Sequence, residues 1–316
     1  MKQLERALEL AERGRGTTKP NPVVGAVLVR DGEVVGEGWH ERKGKPHAEV
    51  NALTAAGDRA RGATLYVTLE PCASWGATPP CAQTVIDAGV AAVVIGARDP
   101  NAAAAGGLEQ LAEAGVAVEL AGGELGFRAR QQNEAWRTWV AKRRPFVTYK
   151  AAVTLDGRMT LPGSRWISGE ESRRLVHELR AASDAVAVGA GTARADRPRL
   201  TARDVEAPRQ PRRLVFVRSS LPNGLDLEVR SGPLEEELGA LADEGVQSLL
   251  LEGGPTIATA FLRAGAIDKL LVFVAPHLSG TGPRLFGEFE QQSELRRLKS
   301  RRVGDDVLLT AYLNEP

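Results

Sequence analysis

Cysteine is nearly missing from this 316-residue chain, which has two. Two thiols cannot build a disulfide framework, and they fit a reducing compartment where thiols stay free. Net charge is nearly missing as well. Lys and Arg number 41 against 40 Asp and Glu, leaving +1, so no broad basic field advertises nucleic-acid binding and small substrates are expected instead of polymers. No apolar run approaches membrane-span length. The segment Met1-Lys2-Gln3-Leu4-Glu5-Arg6 is charged and amphipathic where a signal peptide needs an apolar stretch. Together these absences predict a cytoplasmic enzyme with no membrane or nucleic-acid partner, long enough for two domains with separate cores.

The few thiols that exist are placed with purpose. Pro46-His47-Ala48-Glu49-Val50 is followed by Thr68-Leu69-Glu70-Pro71-Cys72, and then by Pro80-Cys81. One imidazole and two thiolates suit tetrahedral Zn²⁺ with the fourth position open for water. A bound zinc lowers the pKa of its water from about 15.7 towards about 7, and Glu49, two residues past His47, is the expected proton carrier. This is the pattern of a zinc deaminase acting on an amino-bearing ring carbon, with eight residues between the cysteines where the short form of the motif has two. Both cysteines and one of only four histidines meet in it. A purely structural zinc would want a fourth protein ligand, for which His40 is the nearby candidate.

Periodicity gives an α, β, β, α, β, α, β order for the first part. Leu4, Leu8 and Ala11 recur at helical spacing, and Val23 to Val29 reads as extended, leading into an Asp31-Gly32 hairpin turn. Ala48 to Ala56 reads as a helix, Ala63 to Thr68 as a strand, Pro80 to Ala88 as a helix and Ala91 to Gly96 as a strand. His47 and Cys81 then stand near helix N-termini, where the macrodipole favours neutral imidazole and thiolate. Glu124 to Lys142 reads as one helical stretch, with Phe127, Trp136, Trp139 and Val140 as packing residues, and the domain boundary is expected at residues 144/145.

Beyond Pro145 a fresh α/β alternation begins. Phe146 to Val153, Ala185 to Val188, Leu214 to Val217, Ser248 to Leu251 and Leu270 to Val274 read as buried strands. Its best chemical signal is Leu251-Glu252-Gly253-Gly254-Pro255, a strand, a glycine turn and a helix start, where glycines would let a phosphate approach free backbone N–H groups. Val188-Gly189-Ala190-Gly191-Thr192-Ala193-Arg194 also follows a strand, but Arg194 at the third glycine position of a dinucleotide fingerprint argues against a Rossmann site.

In combination these motifs resemble the bifunctional deaminase and reductase family of riboflavin biosynthesis, RibD or RibG. Asn21-Pro22-Val23-Val24-Gly25, the His47 and Cys72 motifs and Thr78-Pro79-Pro80-Cys81 look like its deaminase half. Lys150 to Gly157, Trp166-Ile167-Ser168, Thr192 through Asp196 to Arg203 and Glu252-Gly253-Gly254 look like its reductase half. The resemblance implies a cytidine-deaminase-like three-layer α/β/α domain over 1–144 and a dihydrofolate-reductase-like α/β domain over 145–316. It implies zinc held by His47, Cys72 and Cys81, proton transfer by Glu49 and pyrimidine binding by Asn21. It implies NADPH contacts from Ala152, Trp166, Thr192, Asp196, Ser219 and the run Gly254, Pro255, Thr256, Ile257, Ala258, Thr259 and Ala260. Lys150, Ser164, Arg180, Leu200, Arg203 and Glu252 would line the phosphorylated substrate, and the enzyme would be a homo-oligomer. Arg180 and Arg203 have the forked geometry that suits phosphate. Lys150, Asp196 or Glu252 could supply the reductive proton, and the residues do not choose among them.

Three segments depart from the family pattern. After Cys72 stands Ala73-Ser74-Trp75-Gly76-Ala77, lacking an imidazole and a cation usual in relatives. Asp99-Pro100-Asn101 is followed by four alanines and Gly106-Gly107 without the usual Lys or Arg, and Arg218 stands where an acidic residue is usual. Trp75 as a base-stacking ring, with Arg42, Lys43 or Lys45 as replacement charge, would compensate for the first loss. The departures leave two other readings beside the bifunctional enzyme: a reductase with a zinc-bearing scaffold, and a deaminase of another base or of nucleic acid.

Overall fold

The computed structural model describes residues 2–75, 79–217, 224–290 and 292–316. Two compact units divide the chain, Met1–Lys142 with Pro316, and Arg143–Glu315.

The first unit opens with α1 (Lys2–Glu12), whose Leu4, Ala7, Leu8 and Ala11 are buried at helical spacing. β1 (Gly25–Arg30) and β2 (Glu33–Trp39) form an antiparallel hairpin. Asp31 and Gly32 take φ of 52° and 82° between them, the paired positive values that a two-residue type I′ turn requires. α2 (Ala48–Ala56), β3 (Thr64–Val67), α3 (Cys81–Asp87) and β4 (Ala92–Ile95) follow. α4 (Gly107–Glu113) and β5 (Ala117–Leu120) extend the unit beyond the elements expected from periodicity. The sheet order is β2-β1-β3-β4-β5, antiparallel through β3 and parallel from β3 to β5.

The stretch expected as one helix is two, α5 (Gly123–Gln132) and α6 (Glu134–Lys142). Asn133, buried between them, accepts the Val23 N–H at 2.9 Å and donates to the Val23 carbonyl at 2.8 Å. That pairing interrupts the helix and redirects it. α5 packs Leu125 and Ala129 with α1 on one face of the sheet, while α6 packs Trp136 with Ala52, Ala82 and Val85 of α2 and α3 on the other. The result is the expected three-layer arrangement.

The second unit is built on β6 (Phe146–Thr154), α7 (Glu170–Ala182), β7 (Ala185–Gly189), α8 (Ala190–Asp196), β8 (Arg212–Phe216) and β9 (Glu228–Arg230). It continues with α9 (Leu234–Asp243), β10 (Ser248–Leu251), α10 (Pro255–Arg263), β11 (Lys269–Ala275), β12 (Arg296–Val303) and β13 (Asp306–Tyr312). The eight strands run in the order β12-β13-β11-β6-β10-β7-β8-β9. β11 through β9 are parallel and β12 and β13 antiparallel. The central strands are buried throughout, as in Ala185 to Gly189, which explains why they read as continuous apolar runs. Among the described residues no helix is long and apolar enough to cross a membrane.

Asp156-Gly157 forms a turn with a tie attached. Asp156 accepts hydrogen bonds from Thr154 Oγ1 at 2.6 Å, Ser279 N at 3.0 Å and Gly280 N at 2.8 Å. These bonds, the Thr154 hydroxyl first, hold its carboxyl down from 3.8 to about 2. A carboxylate depressed in the fold stabilises it above the unfolded value and loses that contribution as pH falls through the folded one. The melting-temperature advantage of wild type over Asp156→Asn is therefore expected to be constant above about pH 5 and to shrink towards pH 2. An advantage unchanged down to pH 2.5 would contradict it.

Candidate metal centre and nucleotide groove

α2 and α3 start side by side beneath the sheet, and each presents a donor at its first turn. His47 is the N-cap residue of α2 and Cys81 is the first residue of α3. Cys72 comes from the loop that leaves β3. Their ligand atoms all lie within 4.8 Å of one another. His47 Nδ1 is 3.1 Å from Cys81 Sγ and 3.8 Å from Cys72 Sγ, and the Cys81 N–H points at Cys72 Sγ from 3.4 Å. The hydrogen bond between the two thiols pulls Cys72 down from its usual value and drives Cys81 up. A soft trio of two sulfurs and one nitrogen is a donor set that fits zinc.

Glu49 lies in the first turn of α2, 3% exposed, and hydrogen-bonds Cys81. Burial pushes its carboxyl up to about 7. His40 does not join the donors. Its Nδ1 faces the Pro46 carbonyl at 3.1 Å and its Nε2 faces Asn21 Nδ2 at 3.4 Å, so both nitrogens are engaged and Asn21 is held by it. Glu70, which the motif contained but sequence reasoning left without a role, is buried and accepts from Asp99 N, Gly106 N and Leu108 N. It ties down the loop that carries Asp99 and Asn101, and the Ala73 N–H bonds the Ala104 carbonyl of that loop at 2.9 Å.

The second unit holds a groove of about 1490 Å³ lined by Thr192, Asp196, Glu252, Gly254, Pro255, Thr256, Ile257, Thr259 and Ala260 among others. Pro255 opens α10 as expected. Gly253 serves packing as much as ligand approach, since a Cβ there would stand 2.0 Å from Ile257 Cγ2. Within the same run Ala258 is wholly buried in the core, because successive helical residues turn about 100° and cannot all face one groove. Ala152 also turns inward, against Val176 and Phe273. Trp166 is 53% exposed, between the guanidinium groups of Arg165 and Arg173 at 5.0 and 5.2 Å, and Ser164 Oγ bonds its carbonyl at 2.8 Å. Ser219 and Arg218 lie outside the described residues. Met159, Thr160, Arg230 and Arg263 also line the groove and were missed; they come from one loop, the end of β9 and the last residue of α10, with no shared motif.

Glu252 connects the groove to a buried ion cluster. Arg180 Nε and Nη2 donate to its two oxygens at 2.5 and 2.9 Å, and Lys150 Nζ stands 3.7 Å from Oε2. Burial would raise the Glu252 carboxyl, but Lys150 and Arg180 outweigh it and hold it below the usual range. Burial pulls the Lys150 ammonium down. The fork of Arg180 is thus occupied by a carboxylate rather than open to phosphate, and its Nη1 donates to the Thr201 carbonyl at 3.2 Å. Leu200 is buried in a left-handed conformation, φ 55°. Arg203 is exposed, with Nη1 on Thr201 Oγ1 at 2.9 Å.

The family models agree with the two units. Residues 1–97 match the cytidine and deoxycytidylate deaminase zinc-binding region, and residues 145–309 match the RibD C-terminal domain. The riboflavin biosynthesis protein RibD of Aquifex aeolicus is 39% identical over 96% of this chain and 95% of its own, and that of Escherichia coli is 38% identical over 97% of each. The solved RibD of Acinetobacter baumannii superposes with a TM-score of 0.82 at 36% identity over 98% of both chains. A deaminase/reductase from Thermotoga maritima gives 0.80 at 34% identity over 98% of this chain and 97% of that one. With both domain models matched in order and the similarity running almost end to end, the chain belongs to the RibD family of riboflavin biosynthesis proteins.

Proposed function

We propose that this chain catalyses two successive steps of riboflavin biosynthesis. The first is hydrolytic removal of the 2-amino group of 2,5-diamino-6-ribosylamino-4(3H)-pyrimidinone 5′-phosphate. The second is NADPH-dependent reduction of the ribosyl side chain of 5-amino-6-(5-phosphoribosylamino)uracil to ribityl. Residues 1–144 would perform the deamination and 145–316 the reduction. The observation that carries the reading is the convergence of His47, Cys72 and Cys81 with buried Glu49 beside them.

His47, Cys72 and Cys81 would hold the zinc, whose contribution when bound is to make a water acidic enough to attack at neutral pH. Glu49 takes a proton from the attacking water and delivers one to the departing ammonia. Asn21, braced by His40, orients the pyrimidine. In the reductase, residues lining the groove would hold NADPH, whose contribution when bound is the hydride. Thr192, Asp196 and the groove-lining residues at the start of α10 would hold the cofactor, with Trp166 and Ser219 completing the set, while Ala152 and Ala258 serve the packing beneath it. Glu252 lies at the groove and at the Lys150–Arg180 cluster together, which gives the Lys150–Glu252 pair a short path for a proton, and Asp196 lines the same groove. Ser164, Leu200 and Arg203 would complete the sugar-phosphate side. A cytoplasmic homo-oligomer acting on small molecules, with no nucleic-acid or membrane partner, belongs to the same proposal.

A coupled assay tests it: ammonia release from the diaminopyrimidine phosphate by zinc-replete protein, with NADPH oxidation followed together. Ammonia followed by NADPH loss is expected. NADPH loss only when deaminated substrate is supplied would show that the altered loop has cost the first activity. Trp75 is 77% exposed, so its ring is not committed to the core. Trp75→Ala and Lys45→Ala are expected to raise the deaminase KM by about tenfold each, the scale of one stacking or charge-assisted contact. Unchanged turnover and KM in both would remove these residues from substrate binding.

A further inference from the structure

His177 has no part in the reading above, yet it sits where the substrate-side loop is fastened. It lies on α7 three residues before Arg180, so the two side chains leave the same helix face. Both reach one short segment. His177 Nδ1 is 3.2 Å from the Thr201 carbonyl and 3.2 Å from the Arg203 N–H, and Arg180 Nη1 donates to that same carbonyl. The segment needs fastening: Arg197, Leu200 and Asp204 take φ of 41°, 55° and 59°, left-handed conformations that non-glycine residues leave unless their surroundings hold them.

The proton inventory selects one arrangement. A neutral imidazole has a single N–H. With that proton on Nε2, Nδ1 accepts the Arg203 N–H while the Thr201 carbonyl keeps its bond from Arg180. With the proton on Nδ1, two N–H groups would face each other at Arg203. Burial, then the charges of Arg180 and Arg203, lower His177 from its usual value and keep it neutral. Arg203 is in turn braced by Thr201 Oγ1.

We infer that His177 is a positioning residue of the reductase, its Nδ1 fixing the backbone of Arg203 and so aiming that guanidinium at the substrate phosphate. The inference rests on the reading of 145–316 as the reductase and of Arg203 as a phosphate contact. It is tested in the full-length protein with saturating NADPH and the deaminated, phosphorylated pyrimidine. His177→Ala is expected to raise KM for the pyrimidine about tenfold, the scale of one positioning hydrogen bond, with KM for NADPH and the melting temperature at wild-type values. His177→Asn, whose Oδ1 takes the place of Nδ1, is expected to restore KM to within about twofold of wild type. In an Arg203→Ala background, His177→Ala is expected to add nothing, as two residues acting through one contact do not add. A wild-type KM in His177→Ala, a loss shared with NADPH binding or stability and not rescued by Asn, or full additivity with Arg203→Ala would each overturn it. Wild-type protein that oxidises no NADPH on this substrate would instead overturn the reductase reading, before any variant is compared.

Discussion

Glu49→Gln is expected to lower ammonia release by roughly 10³-fold, within the range that one positioned acid–base group contributes. Zinc content and NADPH-dependent reduction of deaminated substrate should stay at wild-type levels. Glutamine keeps the shape and the buried packing at the start of α2, so the metal donors His47, Cys72 and Cys81 retain their spacing. What it removes is the capacity to accept a proton from water and return it to ammonia. Metal analysis separates the outcomes. Loss of zinc together with activity would make Glu49 a structural support of the donor cluster, and retained ammonia release would assign proton transfer to another group.

Glu252→Gln carries the larger structural penalty. Its carboxylate is the counter-charge of two cations, and the side chains of Glu252, Arg180 and Lys150 are 8%, 13% and 16% exposed. Removing one partner of a buried ionic cluster strands the others, at a cost of about 3–5 kcal/mol, and reduction is expected to fall at least about 10²-fold with the proton path broken. Lys150 has a way to relieve the strain by releasing its proton, since burial already lowers it from 10.5. A lysine depressed in the fold is a group to which the unfolded chain binds more protons, so stability rises with pH up to the unfolded value. The melting-temperature deficit of Glu252→Gln relative to wild type should therefore narrow as pH rises from 7 towards 10. A deficit independent of pH would show that Lys150 stays charged in the variant, and intact ammonia release would confine the damage to the reductase.

Much of this was legible in the residues because the signals were local. Ala48–Ala56 and Ser248–Leu251 have the bounds read from the sequence, one an apolar helix and the other an uninterrupted buried strand. The metal donors were legible because thiols are so scarce that their spacing stood out. Other features depend on partners far along the chain. β12 carries Arg296, Arg297, Lys299, Arg301 and Arg302 and is mostly exposed, so no apolar alternation announces a strand; its existence rests on pairing with β13. The second unit's ion cluster joins residues from β6, α7 and the end of β10, and nothing near Arg180 in sequence reveals that its fork is taken. Asn133 looked like one more helical residue, since its partner is Val23, 110 positions away.

The joint at Asn133 has no slack. Most reversals between layers are made by loops that tolerate added residues, but here a single side chain, paired to both polar groups of Val23, makes the change of layer. A residue inserted just after it would rotate everything downstream by about 100°, turning Trp136 out of the core that underlies the metal centre. Length is therefore fixed at this position more tightly than residue identity is on the exposed face of either helix, and the α5–α6 joint sets the phase in which α6 meets α2 and α3.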